Sequence, residues 1–403
     1  MSYLSKRIQV LSPNFFAGLE KQIQALLAAG EEVIRLDIGS PDLPPPPHIL
    51  QALVQSAARP GHHGYQPHRG AAHLRQAWAE MYARDFGVEL DPESEVLPLI
   101  GSKEGIFHLT LAYVNPGEVV LTPDPGYMTY TQAARCAEGV PYSLPLLPER
   151  GYLPDFDAVP LYIIAQAKML FLNYPNNPTG AVAPLELFEQ AVAFARDHRL
   201  LLCHDAAYTH VAFDGCRPHS ILEVPGAREV AVEFNTLSKT YNMAGWRVGA
   251  ALGNARALRG LLKLKTHADS GHFLPIMDAA AAAMTGDQEW LVERNATYCR
   301  RRDILLDGLR AAGLSPGVPQ ASLYIWCPVP AGWSAMEFAA RALEEARLSV
   351  TPGTVFGPGG EGFVRLALTA SEEKCAEAAR RLKEAPSWMR ASASAHSEHQ
   401  EDG

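Results

Sequence analysis

A chain of 403 residues, 47% apolar and 20% charged, is long enough for two or three domains around a large buried core. Its 35 Lys and Arg stand against 44 Asp and Glu, a formal charge of −9. That balance speaks against nucleic acid as a partner, because neutralising phosphates needs a basic footprint. The six cysteines (Cys136, Cys203, Cys216, Cys299, Cys327, Cys375) form no C-x-x-C pair. The N-terminal residues lack the apolar run of a signal peptide, and no uncharged stretch reaches membrane-spanning length. The expectation is a cytoplasmic protein with no membrane contact.

Residues 15–30, "FFAGLEKQIQALLAAG", have helical spacing and end on Gly30, a suitable residue just past a helix. "VIRLDIG" then predicts a short strand, and the four prolines of "SPDLPPPP" an extended crossing. From residue 95, short apolar runs alternate with helical segments such as "PLELFEQAVAFARDH". The runs are "EVLPLIG", "EVVLTP", "GVPYSLPL", "KMLFLNYP", "RLLLCHDA", "VAVEFNTLS" and "WRVGAALG". Near-continuous apolar strands with helical crossovers predict a mostly parallel seven-stranded sheet buried on both faces, an α/β fold. After residue 253 a long helix at about 287–312 and the runs "ASLYIWCPV" and "FVRLALTA" predict a smaller α+β domain. The polar tail "SASAHSEHQEDG" is expected to be disordered.

In such a sheet, ligands bind at the carboxyl ends of the strands. Several reactive side chains follow those ends: Gly101-Ser102-Lys103, Tyr127, Asn177, Asp205, Tyr208, Thr236, Ser238 and Lys239. A desolvated lysine forms Schiff bases with carbonyls. If the carbonyl is that of pyridoxal 5′-phosphate, the other residues acquire roles. Asp205 keeps the pyridine nitrogen protonated so that the ring acts as an electron sink. An Asn and a Tyr can hydrogen-bond the phenolic oxygen, and an aromatic ring such as Tyr127 can stack on the ring. Ser102, Lys103, Thr236, Ser238 and Arg247 supply the hydroxyls, charges and helix-start N–H groups that a phosphate needs. Taken singly, each of these residues has an ordinary structural reading, such as turn cap, core tyrosine or solvated lysine. Their coincidence at one sheet edge is what argues for chemistry.

"NNPTG", "HDAAY" and "SKTYNMAGWRVG", in this order, resemble the class I/II, fold-type I aminotransferases that use pyridoxal 5′-phosphate. The resemblance runs from "LDIGSPD" to "FVRLALT" and implies that family's three-layer fold. It implies an N-terminal arm with part of the small domain over residues 1–40 and a large cofactor-binding domain over 41–285. A small C-terminal domain over 286–388 and the tail 389–403 complete the expected division. By resemblance, Asn177 and Tyr208 take the phenolic oxygen, and Asp205, Lys239 and Arg247 the ring nitrogen, the Schiff base and the phosphate; Arg365 grips the substrate α-carboxylate, Gly39 offers it a backbone contact, and Tyr65 reaches the phosphate of a neighbouring subunit in a homodimer. "GSPDLPPP", "GSKEGI" and "LKTHADSG" are most similar to LL-diaminopimelate aminotransferases and their aspartate/alanine-type neighbours. His267 stands where that subgroup's pattern has Asn, and Thr236 where Ser is usual. Phe15, Lys103 and the loop around His267 are the candidates for meeting the far end of the substrate.

The implied activity moves an amino group from an L-amino acid (LL-diaminopimelate, aspartate or alanine) to a 2-oxo acid such as 2-oxoglutarate. Lys239, Asp205 and Tyr208 are its expected catalytic residues. A cofactor-dependent β-lyase and a cofactor-binding regulatory protein are the alternatives, because both share the cofactor-binding residues. No metal is expected: His62, His63 and His68 lack a carboxylate nearby in sequence. The run Gly357-Pro358-Gly359-Gly360-Glu361-Gly362 satisfies G-x-G-x-x-G but leads into a strand-like segment, unlike a dinucleotide site.

Overall fold

Each of the seven apolar runs between residues 95 and 253 forms a strand in the computed structural model, which describes residues 3–11 and 15–384. In chain order β1 is Ile34–Arg35, β2 Val96–Leu99, β3 Val119–Asp124, β4 Val140–Pro145, β5 Ala167–Asn173 and β6 Leu201–Asp205. β7 is Ala231–Thr236, β8 Gly249–Gly253, β9 Tyr324–Pro328, β10 Leu348–Ser349, β11 Thr351–Pro352 and β12 Phe363–Ala367. The chain divides into two compact units. The first comprises Met1–Pro13, Ser40–Asn295 and Gln320–Ser322; the second comprises Asn14–Gly39, Ala296–Pro319 and Leu323–Gly403. The tail expected to be disordered lies outside the described residues.

In the first unit one sheet runs in the order β2-β8-β7-β6-β5-β3-β4. β3 through β7 pair in parallel, while β8 runs antiparallel to both β7 and β2. Strand alternation sends successive side chains to two different cores. On β5, Met169 and Phe171 pack with Ile106, Leu109, Tyr130 and Leu261 on one face. Leu170 and Leu172 pack with Trp78, Tyr82, Phe188 and Met277 on the other. Helices therefore cover both faces, giving three layers, and this explains why the strands read as continuous apolar runs. β4 is the exception. It lies at the sheet edge with Val140 half exposed, and its Pro141 and Pro145 suit a strand with one unpaired side.

The second unit holds a parallel β1–β10 pair and an antiparallel sheet in the order β11-β12-β9. The predicted helix at its start spans Phe15–Ala28. The helix Ala335–Ala346 begins with a capping box, Ser334 and Glu337 bonding each other's backbone N–H. The glycine-rich run at 357–362 forms a 3-10 turn, Pro358–Gly360, and enters β12 directly. No helix starts there to receive a dinucleotide phosphate.

Candidate active site

Asp205 ends β6, paired in register with Asn173 of β5 and Phe234 of β7. It is 4% exposed, and its Oδ2 accepts the Tyr130 hydroxyl at 2.8 Å. Its Oδ1 is also buried, and no donor among the described residues reaches it. Burial pushes the Asp205 carboxyl up to about 6, against the pull of the Tyr130 hydrogen bond. Tyr130 was not singled out from the sequence. It lies three residues beyond Tyr127, its ring stacked on Phe171 at 4.9 Å and edge-on to Tyr127 at 5.8 Å. Burial, and then the neighbouring Asp205, raise its hydroxyl well above the usual tyrosine range, which keeps it a donor. The signal available in the sequence was spacing alone: Tyr127 and Tyr130 are one helical turn apart.

Lys239 follows β7 on the short helix Leu237–Thr240, whose N-cap is Thr236; the Thr236 Oγ1 accepts the Ser238 N–H. The lysine Nζ stands 5.9 Å from the centre of the Tyr208 ring, which is itself buried. Behind it, buried Arg294 donates to the carbonyls of Lys239, Thr240 and His210. That clamp fixes the backbone carrying the lysine, and nothing local in the sequence announces it. Asn177 is held from the same side. Its N–H donates to Asn173 Oδ1 at 2.8 Å, while Asn173 Nδ2 donates to the Asp205 carbonyl at 2.7 Å.

The helix Ser102–Tyr113 begins at Gly101, whose φ of 78° lies in the left-handed region. A Cβ at Gly101 would overlap the Arg247 guanidinium, so only glycine allows the arginine over the helix start. Arg247 Nη1 lies 3.4 Å from Ser238 Oγ and donates to the Ala244 carbonyl at 2.9 Å. Thr236 Oγ1 and Ser238 Oγ are 2.9 Å apart. Free N–H groups of a helix start, two hydroxyls and a guanidinium make an anion cradle. Lys103 stands beside it with its Nζ 5.9 Å above the Tyr127 ring.

Tyr65 belongs to the same unit but is 93% exposed. His267 is exposed in the last turn of the helix Ala255–Ala268. His62, His63 and His68 bond separately, to the Ser56 hydroxyl and to the carbonyls of Ala57 and Asp269. A carboxylate distant in sequence, Asp278, does lie 3.5 Å from His62 and 2.7 Å from His73. In the second unit Arg365, on β12, is 4% exposed and donates to the Asp37 carbonyl at 3.0 Å. Its guanidinium lies between the rings of Tyr324, at 4.1 Å, and Phe356, at 4.7 Å. Gly39 approaches the Tyr324 hydroxyl so closely that a Cβ would collide with it. Phe15, half-buried, opens the helix Phe15–Ala28 with its ring edge-on to Phe16 at 5.6 Å.

The family description "Aminotransferase class I and II" matches residues 31–382. The chain belongs to this family. It is 48% identical over 379 residues to an LL-diaminopimelate aminotransferase of Syntrophobacter fumaroxidans, covering 94% of this chain and 98% of that one. Substrate-bound BacF from Bacillus subtilis superposes with a TM-score of 0.92 at 36% identity, covering 95% and 98% of the two chains. A probable N-succinyldiaminopimelate aminotransferase from Thermus thermophilus gives a TM-score of 0.87 at 38% identity, covering 92% and 100%. The protein is thus an aminotransferase that works with pyridoxal 5′-phosphate on small-molecule substrates, and the lyase alternative is not favoured. The residues present fit that cofactor. The buried Asp205 Oδ1, without a partner among the described residues, is complementary to a protonated ring nitrogen, and the Thr236 and Ser238 hydroxyls and the Arg247 guanidinium at the helix start after Gly101 to a phosphate. No helix among the described residues of this aminotransferase is long and apolar enough to cross a membrane.

Proposed function

We propose that this aminotransferase takes the amino group of LL-diaminopimelate and passes it to 2-oxoglutarate. The observation that carries the proposal is the 48% identity across 94% of the chain with a relative of that name. The bound cofactor supplies an electron sink for the pair left on the substrate Cα. Lys239 would be the covalent anchor, and its amine is the group placed to move a proton at the substrate Cα. Asp205 Oδ1 would hold the ring nitrogen's proton, while Tyr208 and Asn177 would donate to the phenolic oxygen. Tyr127 covers the ring face. Ser102, Lys103, Thr236, Ser238 and Arg247 hold the phosphate.

Arg365 takes the substrate α-carboxylate through two parallel hydrogen bonds, joined by the Gly39 backbone. Phe15, Lys103 and the loop at His267 meet the distal end of the substrate. Tyr65 completes the phosphate site of a second copy, so the active unit is a homodimer. The exposed Tyr65 ring supports this, as do the exposed Leu50 and Val54 on the helix Pro47–Ala57 just before it. A fully active monomer in sedimentation would contradict that assembly. No disulfide joins any of the six cysteines among the described residues, which supports a reducing compartment, the cytoplasm.

The test of substrate is a panel of amino donors with 2-oxoglutarate as acceptor. The expected result is turnover of LL-diaminopimelate well above that of aspartate or alanine. Strong activity confined to aromatic or branched donors would overturn the substrate and leave the aminotransferase standing.

A further inference from the structure

Arg247 adopts a left-handed backbone, φ 58°, which for a residue with a Cβ persists only where the surroundings enforce it. One contact on this backbone comes from a distant segment. His272 Nε2 lies 2.8 Å from the Arg247 carbonyl oxygen. A carbonyl only accepts, so Nε2 carries the proton and donates. Burial lowers the His272 imidazole below its ordinary value, which keeps the ring in its neutral form.

The loop that presents His272 is anchored at the helix start that Arg247 faces. Asp269 takes the Lys265 ammonium on both oxygens at 2.8 Å, and its Oδ1 accepts the Gly271 N–H at 2.8 Å. Burial raises the Asp269 carboxyl, but these bonds outweigh it and leave the group below its ordinary value. Gly271, at φ 77°, turns the chain so that the next side chain points back toward Arg247. Lys265 is only 1% exposed and also reaches Glu104 at 3.4 Å. Glu104 accepts the Ile100 N–H at 2.7 Å and meets His108 at 2.7 Å. Glu104, His108 and Asp269 place ligand atoms within 4.8 Å of one another, as a metal site would, but the Lys265 ammonium is the cation they hold. The contacts form a ring. It leaves the first turn of the helix Ser102–Tyr113 at Glu104, runs through Lys265, Asp269, Gly271 and His272, and returns with Arg247 over Gly101.

We infer that His272 is a positioning residue that sets the enzyme's grip on the cofactor's phosphate, by holding the Arg247 backbone where its guanidinium covers the helix start. The inference rests on the proposed phosphate role of Arg247. It requires that His272 matter for the phosphate and not for the ring.

The test strips the full-length enzyme of cofactor and titrates it with pyridoxal 5′-phosphate and with pyridoxal, which lacks the phosphate. Absorbance reads the binding. His272→Phe removes the donor and should weaken pyridoxal 5′-phosphate about tenfold, the value of one charge-neutral hydrogen bond in a closed site. Pyridoxal affinity should not change. His272→Gln, whose amide N–H has similar reach, should restore most of the loss. If His272→Phe does not fold, His272→Ala reads the same ratio. Equal losses for both ligands, or no loss for either, would overturn the proposal. Arg247→Ala serves as the reference. If it leaves the ratio of the two affinities unchanged, the phosphate reading itself fails. If it collapses that ratio while the His272 variants do not, only the role of His272 fails.

Discussion

Two buried carboxylates on neighbouring strands of one sheet are treated in opposite ways. Glu233 on β7 is wholly buried, and each of its oxygens has two partners. Oε1 accepts the hydroxyls of Tyr82 at 2.6 Å and Ser220 at 2.8 Å. Oε2 accepts the Ile221 N–H at 2.9 Å and faces His204 Nδ1 at 2.8 Å. Asp205, next to His204 on β6, points to the other face of the sheet and has one oxygen on Tyr130 and one on nothing among the described residues. A buried acceptor without a donor costs roughly 1–3 kcal/mol, and more when charged. The completed acid is tied into the scaffold; the incomplete one leaves an oxygen open, as the role proposed for it requires. Full burial alone distinguishes neither.

The sharpest way to break this contrast is to remove each charge in turn. Asp205→Asn should lower kcat/KM by three orders of magnitude or more, about 4 kcal/mol, as expected when a charge placed for the transition state is lost. The protein should remain folded by circular dichroism. A variant within tenfold of the parent would place the ring nitrogen elsewhere. Glu233→Ala should do the reverse. It leaves His204 without its acid and should cost about 3–5 kcal/mol of stability, read from the urea midpoint. The kcat of the molecules that stay folded should change only a few-fold.

The pH dependence separates the two acids further. Asp205 is held up to about 6 in the folded protein, against roughly 4 in an unfolded chain. The cofactor-free fold therefore keeps a proton that the unfolded chain has already released. The contribution of Asp205 to stability is greatest below about pH 4, falls as pH rises to about 6, and is level beyond. Asp205→Asn removes that slope, so the cofactor-free variant should be more stable than the parent at pH 7, by about 3 kcal/mol. Parallel stability–pH curves for the two proteins would contradict the raised carboxyl. A smaller effect is expected of Tyr130→Phe, which deletes one hydrogen bond to the Asp205 carboxylate. It should raise the Asp205 carboxyl further and weaken cofactor retention by about 1–2 kcal/mol, measured by dialysis.

The contrast also shows what a sequence reveals. Six of the seven strands were legible because both faces of each are buried, so apolar runs mark them directly; β4, at the partly exposed edge, was legible from a weaker run. Asp205, Lys239, Asn177 and Arg247 were legible as candidates because their residue types stand at strand ends, where a parallel sheet collects its ligand contacts. Tyr130, Arg294 and His272 were not. Each acts through a partner 25 or more residues away: Tyr130 through Asp205, Arg294 through the carbonyls at 210, 239 and 240, and His272 through that of Arg247. No local pattern encodes such a contact. The same holds for Asp278, which joins His62 and His73 across more than 200 residues of chain.

The central claim is that the cofactor is anchored at the edge where β6 and β7 end, on Lys239. Borohydride reduction of the enzyme with its cofactor bound, followed by peptide mass mapping, tests it most directly. The account predicts a single labelled lysine, Lys239, and no label in Lys239→Ala. A label on Lys103 or Lys265, both in the same unit, would contradict it.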